Sequence, residues 1–253
     1  MRSTTEPHPG ARDHYSYSHY ASRDVAEGFD ALRFSGPIGR YLLECQHTLL
    51  EEALAPARGR TVIDVGTGTG RAAIGLAQSG AKVIGVDASA EMLRVARAKA
   101  ADAAVTIRVG LADAHALPFA AGSADAVVCL RVLMHALDWR ACVAELCRVS
   151  RWRVVVDFPS RSSAAALESS ARRLARSLGR RVEAYRVLAE RDVAAAFAQH
   201  GFRVVIVRRQ FVLPIALHKA IGRLGLTQFV ERGLKRVGLS RLLGSPVTLV
   251  AER

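Results

Sequence analysis

From Thr61 onward, short apolar runs rich in β-branched residues alternate with alanine-rich stretches whose apolar positions recur at helical spacing. Apolar runs of this kind suit strands buried on both faces, and their alternation with helices suits a mostly parallel sheet covered on both sides. The runs predict seven strands: Val62–Val65, Lys82–Val86, Val105–Val109, Ala126–Leu130, Arg153–Asp157, Arg203–Val207 and Val247–Ala251. Between them, helices are expected at Arg71–Gln78 and Glu91–Ala101, the second preceded by Asp87 and Ser89, whose short polar side chains accept from unpaired amides at a helix start. Upstream, Arg23–Leu32 and Ile38–Ala55 predict two helices broken at Ser35-Gly36-Pro37. The first twenty residues, rich in His, Tyr, Ser and Pro, read as a loose arm able to order over a ligand. The expected organisation is an N-terminal arm and helical lid over residues 1–56, then one α/β domain over 57–253 with a helical insertion at about 211–243.

Composition narrows the class. With 253 residues, half of them hydrophobic, the chain buries a full core. It shows neither a signal peptide nor an apolar run able to span a bilayer, so the cytoplasm is the expected location. Four cysteines, Cys45, Cys129, Cys142 and Cys147, form no CxxC pair and no Cys/His cluster, which argues against zinc and against a disulfide framework; no metal site is expected. The net charge of +13 sits almost wholly beyond Pro159, where 18 basic residues face 6 acidic ones. Nucleic acid, an anionic membrane or an acidic substrate are the functional readings of such a surplus. Only Lys82, Lys99, Lys219 and Lys235 are lysines, so an arginine-favouring genome is the plain alternative.

The most informative segment is Thr61-Val-Ile-Asp-Val-Gly-Thr-Gly-Thr-Gly70, a buried strand running into a glycine-rich turn and then a helix. Glycines at 66, 68 and 70 allow a tight turn and admit a ligand against bare main chain, and the helix start behind them offers unpaired N–H groups. The dinucleotide fingerprint needs GxGxxG, but Arg71 stands where its third glycine would fall, which argues against a dehydrogenase. The next strand ends in Asp87, placed to accept from both hydroxyls of a ribose, or to cap the following helix. After the third strand, Asp113 is placed to accept from the exocyclic amine of an adenine between the apolar walls Leu111 and Ala114. Leu130 and Arg131 leave the fourth strand at the crevice where ligands of such sheets sit.

Together VIDVGTGTG, the acid of VIGVDAS, the stretch GLADAHALPF and the stretch SADAVVCLRVLMHALD resemble the class I S-adenosylmethionine (SAM)-dependent methyltransferases, most nearly the small-molecule branch that includes the ubiquinone and menaquinone methyltransferases. The resemblance spans about Thr61 to Pro159 and fades beyond it. It implies a Rossmann-like three-layer α/β sandwich whose seven-stranded sheet is mostly parallel with the last strand antiparallel. It implies SAM as cofactor, with Asp64, Gly66, Thr67, Gly68 and Gly70 around the methionine part, Asp87 and Ala88 at the ribose, Ala112, Asp113 and Ala114 at the adenine, and Leu130 with Arg131 as the far wall.

Methyl transfer from a sulfonium mainly needs alignment and exclusion of water, so a dedicated catalytic residue is dispensable. If a phenol or enol acceptor needs a base, His135 is the best-placed candidate; a histidine on a helix surface or in the core is the plain alternative. Tyr15, Tyr17, Tyr20 and Phe29 are lid candidates, and Arg33 a partner for the cofactor carboxylate. In residues 211–243, apolar positions alternate with Lys219, Arg223, Arg232, Lys235, Arg236 and Arg241, and Gly222, Gly225, Gly233 and Gly238 interrupt any long helix. This basic amphipathic insertion reads either as a helical lid or as a surface that docks on anionic lipid to take up a lipid-soluble acceptor. The expected partner is a small-molecule or lipid-like acceptor such as a quinol or phenol.

A nucleic-acid methyltransferase competes, because the fold is shared. Against it, Leu130-Arg-Val-Leu-Met-His135 replaces the Asn/Asp-Pro-Pro-aromatic signature, Asp157-Phe-Pro159 echoes that signature only after the fifth strand, and aromatics among the arginines are scarce. A non-catalytic SAM-binding module is the other competitor, separated by turnover with an acceptor.

Overall fold

The computed structural model describes residues 15–177 and 185–253. In chain order the elements are α1 (Tyr15–Tyr20), α2 (Arg23–Phe34), α3 (Gly36–Leu54), β1 (Thr61–Val65), α4 (Arg71–Gln78), β2 (Lys82–Asp87), α5 (Ala90–Asp102), β3 (Arg108–Leu111), β4 (Ala124–Cys129), α6 (Trp139–Val149), β5 (Ser150–Phe158), α7 (Ala164–Ser177), α8 (Glu190–Gln199), β6 (Arg203–Phe211), α9 (Ile215–Ile221), α10 (Leu224–Arg236), α11 (Leu239–Leu243) and β7 (Ser245–Glu252). The strands form one sheet in the order β3-β2-β1-β4-β5-β7-β6. Every pairing is parallel except those of β7, which runs antiparallel to both β5 and β6. This is the expected Rossmann-like α/β sandwich, with its switch point between β1 and β4.

Alternation along the strands sorts the core into two layers. Ile63, Val127, Cys129, Val154 and Val156 face α6 and α8, packing on Leu146, Val193 and Phe197. Their neighbours Val62, Ala126, Val128 and Val155 face α3 and α4, packing on Leu50, Leu54, Ala73 and Leu76. The central strands β1, β4, β5 and β7 are therefore buried on both sides, which is why they read as apolar runs, whereas the edge strands β3 and β6 stay partly exposed. Helix starts carry the caps that the polar residues promise: the Ser89 hydroxyl accepts from Met92 N at 3.1 Å, and Asp138 accepts from Arg140 N at 2.9 Å and Ala141 N at 3.2 Å.

Four expectations need correction. The third strand occupies Arg108–Leu111 rather than Val105–Val109, because the α5 end is closed by Val105 N donating to Ala100 O, with Ala104 left-handed at φ 52°. Only Ser35 separates α2 from α3; Gly36 and Pro37 form the first turn of α3, where proline loses no hydrogen bond. The end of the N-terminal arm is helical as α1; residues 1–14 lie outside the described residues. In the insertion, Gly222 and Gly238 end and begin helices, but Gly225 and Gly233 lie within α10, where both stand exposed. The insertion is pinned from inside by buried Glu231, whose carboxylate accepts from Val212 N at 2.9 Å and Leu213 N at 3.0 Å and meets His218 Nε2 at 2.8 Å.

No helix among the described residues is long and apolar enough to cross a membrane. All four cysteines are free; Cys129, Cys142 and Cys147 are buried, whereas Cys45 is only half-buried.

Candidate functional site

At the carboxyl ends of β1, β2 and β4 lies a cavity of about 330 Å³. One wall is the glycine-rich turn. It is stitched to β2 by Gly66 N and Thr67 N, which donate to Val86 O at 2.8 and 3.0 Å. Gly66 is left-handed at φ 69°, and a β-carbon there would lie 2.1 Å from the Val132 side chain, so only glycine fits. Gly68, also left-handed at φ 55°, lines the cavity with nothing within 4 Å of where a β-carbon would stand, so its main chain is bare toward a ligand.

Asp87 sits between the turn and α5: its carboxylate accepts from Gly68 N at 2.8 Å and Ser89 N at 2.9 Å. Burial lifts its carboxyl above the usual range, opposed by those N–H groups. Two carboxylate oxygens offer about four acceptor positions, so capacity remains for ligand hydroxyls. Ala88 lines the cavity beside it, and Ala112, Asp113 and Ala114 line the next stretch of wall. Leu111 does not: it ends the edge strand β3 and is 62% exposed.

Asp113 holds a compact network. It accepts from the Tyr17 hydroxyl at 2.8 Å and from His115 N at 2.9 Å, and it meets His115 Nδ1 at 2.6 Å. Because Asp138 N donates to His115 Nε2 at 3.2 Å, the ring carries its proton on Nδ1 and donates it to Asp113. Burial alone would lift the Asp113 carboxyl; the His115 and Tyr17 donors outweigh it and hold the group well below the usual carboxylate range. Burial and the same contact push the Tyr17 hydroxyl up.

The opposite wall carries Leu130 and Arg131 from the exit of β4, then Val132, Met134 and His135. Arg131 is left-handed at φ 63°, a conformation costing an L-residue about 1–2 kcal/mol. Buried Asp157 at the end of β5 holds it there, accepting from Arg131 N and lying 3.3 Å from Arg131 Nε. Asp157 thus braces the β4 exit, which accounts for an acid in the Asp-Phe-Pro echo. His135 lines the cavity with its ring edge-on to Tyr20 at 6.2 Å. The lid candidates Tyr17, Tyr20 and Phe29, and the carboxylate candidate Arg33, line the cavity from α1 and α2; the Tyr15 side chain lies outside the described residues.

Asp64 and Gly70 stand behind the turn and do not line the cavity. The buried Asp64 carboxylate accepts from the Thr67 hydroxyl at 2.6 Å, and burial, opposed by that contact and reinforced by the Asp87 charge, pushes its carboxyl up to about 6. Gly70 caps α4 where a β-carbon would press on Ala96 at 3.0 Å.

Sequence reasoning missed Asp30 and Arg71 as a pair. Asp30 of α2 accepts from the Thr69 hydroxyl at 2.9 Å, lies 3.3 Å from Arg71 Nε and also pairs with Lys99, so it fastens the α2 cover to the turn. Arg71 lies over the Phe34 ring at 3.7 Å and lines the cavity, and burial lowers its guanidinium to about 10. Its Nη1 is buried without a hydrogen-bond partner among the described residues. Also missed were Arg172 and Tyr185, which reach the cavity from beyond the resemblance. Among the described residues, no group of three or more His, Cys, Asp or Glu is placed to hold a metal ion.

Comparison with known proteins agrees with this geometry. Residues 63–153 match the family model described as a methyltransferase domain. A demethylmenaquinone methyltransferase of Thermus thermophilus is 38% identical over 110 residues, covering 42% of this chain and 49% of its own length. An uncharacterised protein of Mycobacterium tuberculosis is 39% identical over 114 residues, covering 41% of this chain and 42% of its own. The chain thus spans less than half the length of the curated relatives it matches. By structure, magnesium protoporphyrin IX methyltransferase from Synechocystis PCC 6803, with bound S-adenosylhomocysteine, superposes with a TM-score of 0.66 at 18% identity over 94% of this chain and 98% of its own, a likeness of fold. Residues 63–153, which hold the glycine-rich turn and its two acids, thus match a methyltransferase domain, on a sheet whose fold is that of the superposed methyltransferase.

Proposed function

We propose that this chain transfers a methyl group from SAM to a small-molecule or lipid-like acceptor of the phenol or quinol kind. The observation that carries the reading is the cavity that sets the bare main chain of Gly68, with Asp87 and Asp113, against Arg131 and His135. Two features fit the cofactor. The space over Gly68 admits a ligand against the backbone, and the unpartnered Nη1 of Arg71 suits the carboxylate of an amino-acid tail. When bound, SAM would supply an electrophilic methyl on a cationic sulfonium that departs as a neutral thioether. What the chain contributes is placement: Asp87 accepts from ribose hydroxyls, the Asp113 wall meets the adenine, and Arg71 faces the carboxylate on a wall that Arg33 also lines. Tyr20 and Phe29 exclude water from above. His135 is the cavity-lining group suited to take a proton from an acidic acceptor hydroxyl.

Calorimetric titration with SAM, and separately with NAD, on the native protein and Asp87→Ala tests the reading. Micromolar SAM binding that is lost in the variant, with NAD silent, is the expected result. A folded protein that ignores SAM refutes it. Turnover with phenolic or quinol acceptors then separates an enzyme from a binding module.

A specific observation favours peripheral contact with anionic lipid. Among the described residues, seven of the eleven large exposed hydrophobics fall within 217–243, and Phe229, Val237 and Leu242 are 71%, 72% and 65% exposed. They stand among exposed Arg223, Arg232, Lys235, Arg236 and Arg241, while Glu231, the acid of this segment, is buried. Each basic residue near an anionic surface contributes about 1 kcal/mol, and the apolar side chains add insertion. Co-sedimentation with phosphatidylcholine vesicles containing phosphatidylglycerol, but not with phosphatidylcholine alone, is expected, weakened by Phe229→Glu. No sedimentation at low salt overturns it.

A further inference from the structure

Beside the cofactor cavity lies a second one of about 220 Å³, and Arg131, Met134 and Tyr185 line both. Its other walls come from three stretches of the chain: one around Ala164 and Ala165 at the start of α7, one running from Phe211 at the end of β6 to Ala216 in α9, and one at Ser245 and Pro246 of β7. We propose that this second chamber receives the apolar chain of an amphiphilic methyl acceptor whose reactive head lies in the first cavity. The proposal rests on the methyl-transfer reading and names what that reading leaves open, the class of acceptor.

The occupant is apolar because the polar groups on the walls already have partners within the protein. The Ser163 hydroxyl donates to Ser160 O at 2.8 Å, and Glu168 pairs with Arg172 at 2.7 Å. The Ser245 hydroxyl accepts from Ser160 N at 3.4 Å, and the Tyr185 hydroxyl donates to Ala165 O at 3.4 Å. Arg131 turns toward Asp157. A polar ligand would find few unspent partners there, whereas an alkyl or isoprenoid chain loses only water. The shared wall gives the chain a route onward from the cavity that holds the reacting atom. Leu213 to Ala216 of the wall lead directly into the helical segment that exposes Leu217, Ile221 and Phe229, the residues suited to a lipid surface.

The test uses 4-alkylphenols from ethyl to decyl as probes, titrated calorimetrically into the full chain saturated with S-adenosylhomocysteine, for the native protein, Ala165→Phe and Ala216→Trp. The expected result is an affinity that tightens about fourfold for each methylene buried and then levels off as the chamber fills. In both variants, which add bulk at two different places on the chamber's lining, the tightening stops at shorter chains while S-adenosylhomocysteine affinity stays at the native value. An affinity independent of chain length, or one that climbs equally in the variants, overturns the proposal. If S-adenosylhomocysteine does not bind, the methyl-donor reading fails by itself, and the same series on the free protein still decides whether the chamber takes an alkyl chain.

Discussion

Replacing Arg71 with methionine separates the two ends of the cofactor. The guanidinium is largely buried, lies over Phe34 at 3.7 Å and has one ion pair, to Asp30, while its Nη1 has no partner among the described residues. A buried donor left unsatisfied costs about 1–3 kcal/mol, a cost that a ligand oxygen relieves on binding. Hydrogen bonds to charged groups contribute about 1.5–3 kcal/mol, so losing this one weakens binding about 10- to 150-fold. Methionine keeps an apolar stem over Phe34, and Asp30 keeps Thr69 and Lys99 as partners, so the turn stays in place. The assay is calorimetry with S-adenosylhomocysteine and with 5′-methylthioadenosine, which shares the adenosine but has no amino-acid tail. Arg71→Met is expected to weaken the first within that range and leave the second within about twofold. Equal weakening of both would show that Arg71 shapes the turn, and no weakening of either would show that the carboxylate lies elsewhere.

Other outcomes follow from neighbouring contacts. Because Asp64 is protonated below about pH 6 in the folded protein but only below about pH 4 when unfolded, native stability falls as pH rises through that window. Asp64→Asn is therefore expected to exceed the native protein in urea stability at pH 7.5, by up to about 3 kcal/mol, and to match it below pH 4; equal or lower stability at pH 7.5 counts against the burial argument. Tyr17→Phe removes the bond from α1 to Asp113 and is expected to speed S-adenosylhomocysteine release several-fold in stopped flow, with a folding midpoint within a few degrees of native. A release rate unchanged by Tyr17→Phe would mean that α1 does not gate the cavity. His135→Gln is expected to leave cofactor affinity intact and lower turnover of a phenolic acceptor about 100-fold, with the loss shrinking as the phenol becomes more acidic. A loss independent of phenol acidity would mark His135 as a packing residue.

What could be read from the sequence is what is local. The glycine-rich turn, Asp87 and the Asp113 stretch lie within a few residues of the strands that place them, so spacing alone puts them on one cavity. Arg71 was visible only as the residue that breaks a dinucleotide fingerprint; its place beside the cavity depends on Asp30, which the packing of α2 brings from far upstream. Val105 and Ile107 suit a strand in isolation and so draw the third strand three residues too early, while the helix end claims Val105 for a hydrogen bond to Ala100. Gly225 and Gly233 read as breakers, yet a cost of about 1 kcal/mol each is overridden when α10 is anchored through Thr227 and Glu231. The second chamber left no trace in sequence, because its walls meet only once β6, α7 and β7 are in place.

The register of the last two strands has a consequence for inheritance. Phe211 and Ser245 are partners across β6 and β7, so residues 212–244 leave the sheet and return to it on the same rung. Whatever that excursion carries can be lengthened, shortened or replaced with little strain on the ladder beneath it, since loop closure costs grow slowly with length. The methyl-donor side sits around the switch point between β1 and β4, with three strands of the sheet between the β1 edge and β6. On the proposed reading, changes within 212–244 can alter which acceptors are admitted, and from which phase, without disturbing the turn that faces the methyl donor.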